Sequence, residues 1–329
     1  MKNFDPRWRD LPDYIIGITK EIWEDRGIAT LDQYYSPEIV VRSPASVVVG
    51  NRNVVAATMA TLAEFPDRTL FGEDVIWCED GGDGYLSSHR LLSTATHTGD
   101  GAYGAATGKT LTYRIIADCH AIANVIDDEW IIRDQGAIVQ QLGVDPLEYA
   151  RNQIAREGGP DSAIKPFSPA IDVDGPYKGR GNDSEWGARY ADTLKRIMNA
   201  DMAVIPEAYD RACHLEYPGG NTTHGHGAAD RFWMGLRAAF PHATFTAEHV
   251  IGRDDPLLPP RAAIRWSLDG KHDGWGAFGT PTGAPVHIMG FCHAEFGPFG
   301  SGDPTIRREY VVFDETAIWK QILLKTGAV

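Results

Sequence analysis

Apolar side chains recur at helical spacing at two places in the chain. Leu11, Ile15, Ile18 and Ile22 are spaced by three and four residues, and so are Trp186, Tyr190, Leu194 and Ile197; this is the period of an amphipathic helix that buries one stripe. Behind each, the pattern predicts a shorter helical stretch (30–35; 203–210), a short strand-like piece, and another helix after a glycine (51–64; 226–239). The period then changes. Segments at about 68–78, 85–97, 109–125 and 129–141 are rich in β-branched and aromatic residues and are separated by Gly/Asp clusters such as EDGGDG (79–84), a turn signal. Long neighbouring strands with short links predict a mainly antiparallel sheet. Helices first and strands afterwards is an α+β order, with the helices packed on one face of a curved sheet. Residues 145–157 read as one further helix and 158–183 as an irregular Pro/Gly-rich linker.

The two halves are copies. Displacing the chain by 175 positions lays FPDRTLFGEDVI (65–76) on FPHATFTAEHVI (240–251) and HTGDGAYGAATG (97–108) on HDGWGAFGTPTG (272–283), and superposes Arg90 on Arg265 and Tyr34 on Tyr209. Near the end of each copy the displacement becomes 180, placing Trp130 on Tyr310 and Asp134 on Asp314, so the second copy has gained five residues, which we place in FGPFGSGDP (296–304). A period this long with two copies predicts duplicated domains rather than a solenoid: residues 1–143, a connecting segment 144–184, and residues 185–329.

Composition narrows the partners. Lys and Arg total 31 against 45 Asp and Glu, a net charge of −14, which repels nucleic acid and anionic membrane surfaces alike. Cys78, Cys119, Cys213 and Cys292 form no CxxC pair and are too sparse for a disulfide framework. They read as free thiols in a reducing cytoplasm. The first residues lack the apolar core of a signal peptide, and no run of apolar residues is long enough to span a membrane.

Three motifs invite a cofactor reading and then fail their context. GxGxxG occurs as Gly99-Gly101-Gly104 and as Gly274-Gly276-Gly279, but a strand-like run, KTLTYRIIA, follows where the dinucleotide fingerprint needs a helix. The stretch Gly104 to Thr110 is one residue short of a P-loop, and the second copy has Ala284 in place of its lysine. His224 and His226 offer two metal ligands without a fixed third, so a polar loop is the reading preferred there. The expected chemistry therefore uses no cofactor and no metal.

Strand alternation places Arg114, Ile116, Asp118, His120 and Ile122 on one face of the third long strand, and Trp130, Ile132 and Asp134 on one face of the next. If both faces look into the cup under the helices, Asp118, His120 and Asp134 line one cavity, with His293, Glu295, Tyr310 and Asp314 in the corresponding places of the second copy. A carboxylate among apolar walls, beside a hydrogen-bond donor, suits proton abstraction next to a carbonyl. Asp134, His120, Asp314 and His293 are the catalytic candidates; Asp118, Trp130, Tyr310, Glu295 and Arg90 are the substrate-contacting ones. The competing reading has the aspartates capping turns or pairing with arginines, the histidines simply hydrogen-bonded, Arg90 in a salt bridge and the aromatics in the core.

HRLLSTATHTGDGAYGAATGK (89–109) and DEWIIRDQGAIVQQLG (128–143), with echoes at 264–283 and 308–323, resemble the SnoaL-like polyketide cyclases of the nuclear-transport-factor-two-like superfamily. The resemblance implies tandem cone-shaped α+β domains, a pocket aspartate at Asp134 acting as acid/base in an intramolecular aldol closure, and an assisting histidine at His120. The second copy keeps the aspartate as Asp314 but carries Glu295 where the first has His120, and His293 where it has Asp118. The implied activity is that of a cofactor-independent enzyme that cyclises, isomerises or dehydrates a carbonyl compound. The alternatives are a ligand-binding protein without chemistry, or one active domain beside a degenerate structural copy. A covalent pair of such domains would make an internal pseudo-dimer, with further homo-oligomerisation open.

Overall fold

The computed structural model describes residues 1–297 and 302–327. In the first copy α1 (Leu11–Thr19) and α2 (Leu31–Tyr34) precede β1 (Tyr35–Ser43), β2 (Ser46–Val49) and α3 (Asn51–Glu64), and then β3 (Thr69–Glu79), β4 (Gly84–Thr96), β5 (Thr110–Ile122) and β6 (Val125–Arg133). The helices α4 (Gln135–Leu142) and α5 (Pro146–Arg156) lead to the second copy. It runs α6 (Glu185–Met198), α7 (Val204–Ala208), β7 (Tyr209–Tyr217), β8 (Asn221–His224), α8 (His226–Ala239), β9 (Thr244–Arg253), β10 (Arg261–Lys271), β11 (Pro285–Gly297), β12 (Thr305–Phe313) and α9 (Glu315–Thr326). Each copy forms a six-stranded sheet, in the orders β2-β1-β6-β5-β4-β3 and β8-β7-β12-β11-β10-β9. All pairs are antiparallel except β1 with β6 and β7 with β12.

The registers coincide strand by strand and refine the repeat. Tyr35, not Tyr34, is the counterpart of Tyr209, because Tyr35 sits opposite Ile126 and Tyr209 opposite Ile306. The pairs Ile122–Val125 and Gly297–Thr305 close equivalent hairpins, so the extra residues fall between Gly297 and Thr305; residues 298–301 of that stretch lie outside the described residues. Gly50 and Gly225, at φ +90 and +80, precede α3 and α8 in a backbone region that other residues enter only with strain.

The expected strand 129–141 stops at Arg133. Asp134 accepts from Ala137 N through its side chain and starts α4, as Asp314 starts α9 by accepting from Thr316 N and Ala317 N; a short carboxylate at the N-cap satisfies amides that a strand would leave to its neighbour. The segment 158–183 is irregular, as expected, but it is packed: Phe167 and Tyr177 are buried, and Gly181 bridges to Val250.

The helices cover one face of each sheet, and the two opposite faces pack against each other. Ile76, Ile116, Trp130 and Ile132 of the first sheet meet Ile251, Met289, Phe291 and Val312 of the second in one buried cluster that also takes in Phe167 and Tyr177. The central strands are consequently buried on both faces. No helix among the described residues is long and apolar enough to cross a membrane.

Candidate functional site

A cavity of about 280 Å3 lies in the first copy between α1, α3 and the helix-covered face of the sheet. Alternation brings Ile115, Ala117 and Cys119 of β5, Glu129, Ile131 and Arg133 of β6, and His89 and Leu91 of β4 to its wall, and Arg68 enters from the residues ahead of β3. Glu129 stands opposite Cys119, and Arg133 opposite Ile115; His89 stands opposite Ala117 on the other side of β5. Two strand spacings and two residues of rise separate the Cα atoms of Glu129 and His89 by roughly 12 Å. That gap admits a flat ring between their side chains.

Burial sets the protonation states here. It pushes the Glu129 carboxyl up to about 7, against the downward pull of a hydrogen bond from Tyr35 and the charge of Arg133, so near neutral pH the group both takes and gives a proton. Burial pushes the His89 imidazole down to about 4, which keeps it neutral. Ser87 Oγ lies 3.3 Å from His89 Nδ1 and 3.4 Å from the Cys119 carbonyl. Donating its single hydrogen to that carbonyl, Ser87 can only accept from His89 Nδ1–H, which leaves Nε2 with a free lone pair.

The residues singled out in the sequence occupy the opposite face, and the expectation that they look into the cup is corrected. Asp134 is held by three backbone amides, those of Ala137 (2.9 Å), Gly219 (2.9 Å) and Gly220 (3.0 Å), as the cap of α4. His120 lies six residues from Arg114 along β5, roughly 20 Å, and Arg114 is the residue whose carbonyl receives the Asp134 amide. His120 is fixed between Asp127 (2.6 Å) and Asp80 (3.1 Å); burial alone would lower its pKa, but the two carboxylates raise it. Asp118 pairs with Arg265 at 3.0 Å, and His293, its counterpart, lies 3.2 Å from Arg90 and 2.9 Å from Ser88. Arg90 also reaches Glu73 and Glu295. Its guanidinium sits 3.5 Å above the Tyr310 ring, as that of Arg265 sits 3.9 Å above Trp130. Asp314 caps α9. Arg90, Asp118, Trp130, Arg265, His293, Glu295 and Tyr310 therefore form a two-fold-like seam between the sheets. His224 is likewise in a polar pair, 3.1 Å from His214.

The sequence profile of the SnoaL-like domain matches residues 188–297. The second copy is a SnoaL-like domain. The first copy shares its strand order and register. No curated protein sequence matches the chain significantly. Solved structures similar to one copy include IdmH, a candidate polyketide cyclase from Streptomyces antibioticus (21% identity over 40% of this chain and 98% of that one, TM-score 0.36). Others are TsrD from Streptomyces laurentii (18%, 43% and 98%, TM-score 0.35) and a SnoaL-like polyketide cyclase from Agrobacterium tumefaciens (20%, 42% and 98%, TM-score 0.32).

The two copies differ at the cup. At the places of Ala57, Thr58, Leu91, Ser43 and Arg133 the second domain carries Phe232, Trp233, Trp266, Tyr217 and Phe313. Their rings form a continuous cluster: Tyr217 stacks on Phe232 at 3.8 Å, Phe232 on Phe313 at 6.2 Å, and Trp266 meets Phe313 edge-on at 6.3 Å. Arg68 and His89 give way to Ala243 and Ile264. Glu129 persists as Glu309, where it accepts the hydroxyls of Tyr190, Tyr209 and Tyr217 at 2.6–2.8 Å.

Sequence reasoning missed Glu129, His89, Arg68 and Arg133 because both faces of these strands are buried and alternation alone cannot say which one meets the helices. The retained Glu129/Glu309 pair, a carboxylate kept by both copies inside an apolar strand, was the available signal.

Proposed function

We propose that the first SnoaL-like domain is an acid/base enzyme for a planar carbonyl compound, with Glu129 as the proton-transfer group. The observation that carries this reading is a carboxyl poised at about 7 on the wall of a cavity otherwise lined mainly by apolar groups. Glu129 takes a proton from the carbon next to the carbonyl. The C–H bond breaks, an O–H bond forms on the carboxylate, and the electron pair moves to the carbonyl oxygen as an enolate. The cationic Arg68 and Arg133, farther along the same cavity wall, favour that charge through space. The enolate then attacks a second carbonyl of the same molecule, whose π pair moves to its oxygen and takes the proton back from Glu129 as the ring closes, or it recovers the proton from Glu129 at another carbon, which isomerises it. Neither course needs a bound cofactor. We assign the second domain a structural part, on the strength of the rings that stand where the first has its cavity.

Deuterium exchange tests this. In D2O the protein should accelerate exchange at the activated carbons of 2-tetralone above the buffer rate, and Glu129→Gln should return the rate to that of buffer. Exchange that persists in the variant would remove Glu129 from the role, and saturable binding with no exchange would make the cup a binding module.

A further inference from the structure

Neither the buried Arg68 nor the half-buried Arg133 is required by the fold, since Ala243 and Phe313 stand in their places in the second domain. Arg68 is 5% exposed, and burial pushes its guanidinium pKa down. The groups acting on it are Tyr113, Tyr103 and Arg133, with no carboxylate among them. The Nε–H groups of both arginines are buried and without a hydrogen-bond partner among the described residues. A buried cation with no carboxylate partner costs several kcal/mol; Arg68 is one, and the half-buried Arg133 lines the same cavity. Their disappearance from the second domain coincides with the filling of its cup, as expected if they serve what the cavity holds.

We propose that the ligand of this cup is itself an anion: a planar, apolar carbonyl compound bearing one carboxylate, which Arg68 and Arg133 hold. The planar guanidinium fork matches a carboxylate in two parallel hydrogen bonds. Ile18, Leu70, Val54 and Ile115 supply an apolar lining for the ring. Arg133 and Glu129 share a face of β6 four residues apart, roughly 13 Å along the strand. The carboxylate and the reactive carbon therefore sit at opposite ends of the ligand. This rests on the acid/base reading only for the identity of the reactive end.

Calorimetric titration of the full chain with 2-naphthoate and with its neutral methyl ester tests the proposal. The acid should bind roughly ten-fold or more tightly than the ester. Arg68→Met and Arg133→Met should each abolish that preference while leaving the ester's affinity in place, and Glu129→Gln should keep or strengthen naphthoate binding by removing a like charge. Equal affinity for acid and ester in the unaltered protein, or failure of both to bind, overturns the proposal without reference to any variant. Arginine variants that keep their near-ultraviolet circular dichroism and still prefer the acid also overturn it. A preference for the acid together with Glu129-independent exchange of 2-tetralone leaves the anion site standing and removes the base; the reverse pattern removes the anion site alone.

Discussion

Glu309 stands in the second domain where Glu129 stands in the first, and it receives three tyrosine hydroxyls where Glu129, among the described residues, receives that of Tyr35. The same carboxyl is thus saturated in one domain and left with capacity in the other. Replacing Glu309 by Leu would strand three buried hydroxyls and should destabilise the chain by about 2–4 kcal/mol, read by urea unfolding. Exchange of 2-tetralone by the folded protein should stay unchanged. A loss of exchange at full folding would mean that the second domain takes part in the chemistry.

Thr58 and Trp233 occupy equivalent places on α3 and α8. Thr58→Trp should fill the first cup much as Trp233 fills the second, abolishing naphthoate and tetralone binding with stability unchanged or raised. Trp233→Thr should instead open a void and cost about 3–5 kcal/mol. Calorimetry and thermal unfolding of both variants check the pair, and retained binding by Thr58→Trp would move the site elsewhere.

The pH dependence has two signs. As a base Glu129 acts in its ionised form, so exchange should rise with pH through a midpoint near 7 and level off above it. Stability runs the other way. Burial, with Asp134 and Asp314 nearby, also pushes Glu315 up to about 7. A carboxyl whose folded pKa exceeds its unfolded value contributes stability below the unfolded value, and that contribution is lost as pH rises through the folded one. Each of these two groups should therefore take up to about 3 kcal/mol from the unfolding free energy as pH rises from about 4.5 to about 7, read as the difference in pH dependence between the unaltered protein and Glu129→Gln or Glu315→Gln; the buried neutral His89 acts in the opposite sense in all three. The same pH dependence in the variants as in the unaltered protein would show both carboxyls to titrate alike in the folded and unfolded chain.

The helices, the duplication and the strand segments were legible because each rests on a local period: three to four for Leu11 to Ile22, two for the strands. The end of β6 was not, because Asp134 acts through three amides that a strand reading does not anticipate. The face of β5 was not legible either. Ile116 and Ala117 are equally buried, one against the other sheet and one under the helices, and a single sequence carries no mark of which partner each will meet. The match of Arg90 with Arg265 and of Trp130 with Tyr310 was visible, but its cause, each arginine lying on the other copy's ring, appears only once the sheets are put together.

That seam also explains how the cups could part company. In a pair of identical subunits, any substitution at one cup is imposed on both, so a tryptophan in place of Thr58 would extinguish the two sites together. Joining the subunits into one chain breaks that obligation. One half can solidify into a keel while the other stays hollow, with the arginine–aromatic clasp between them kept by both.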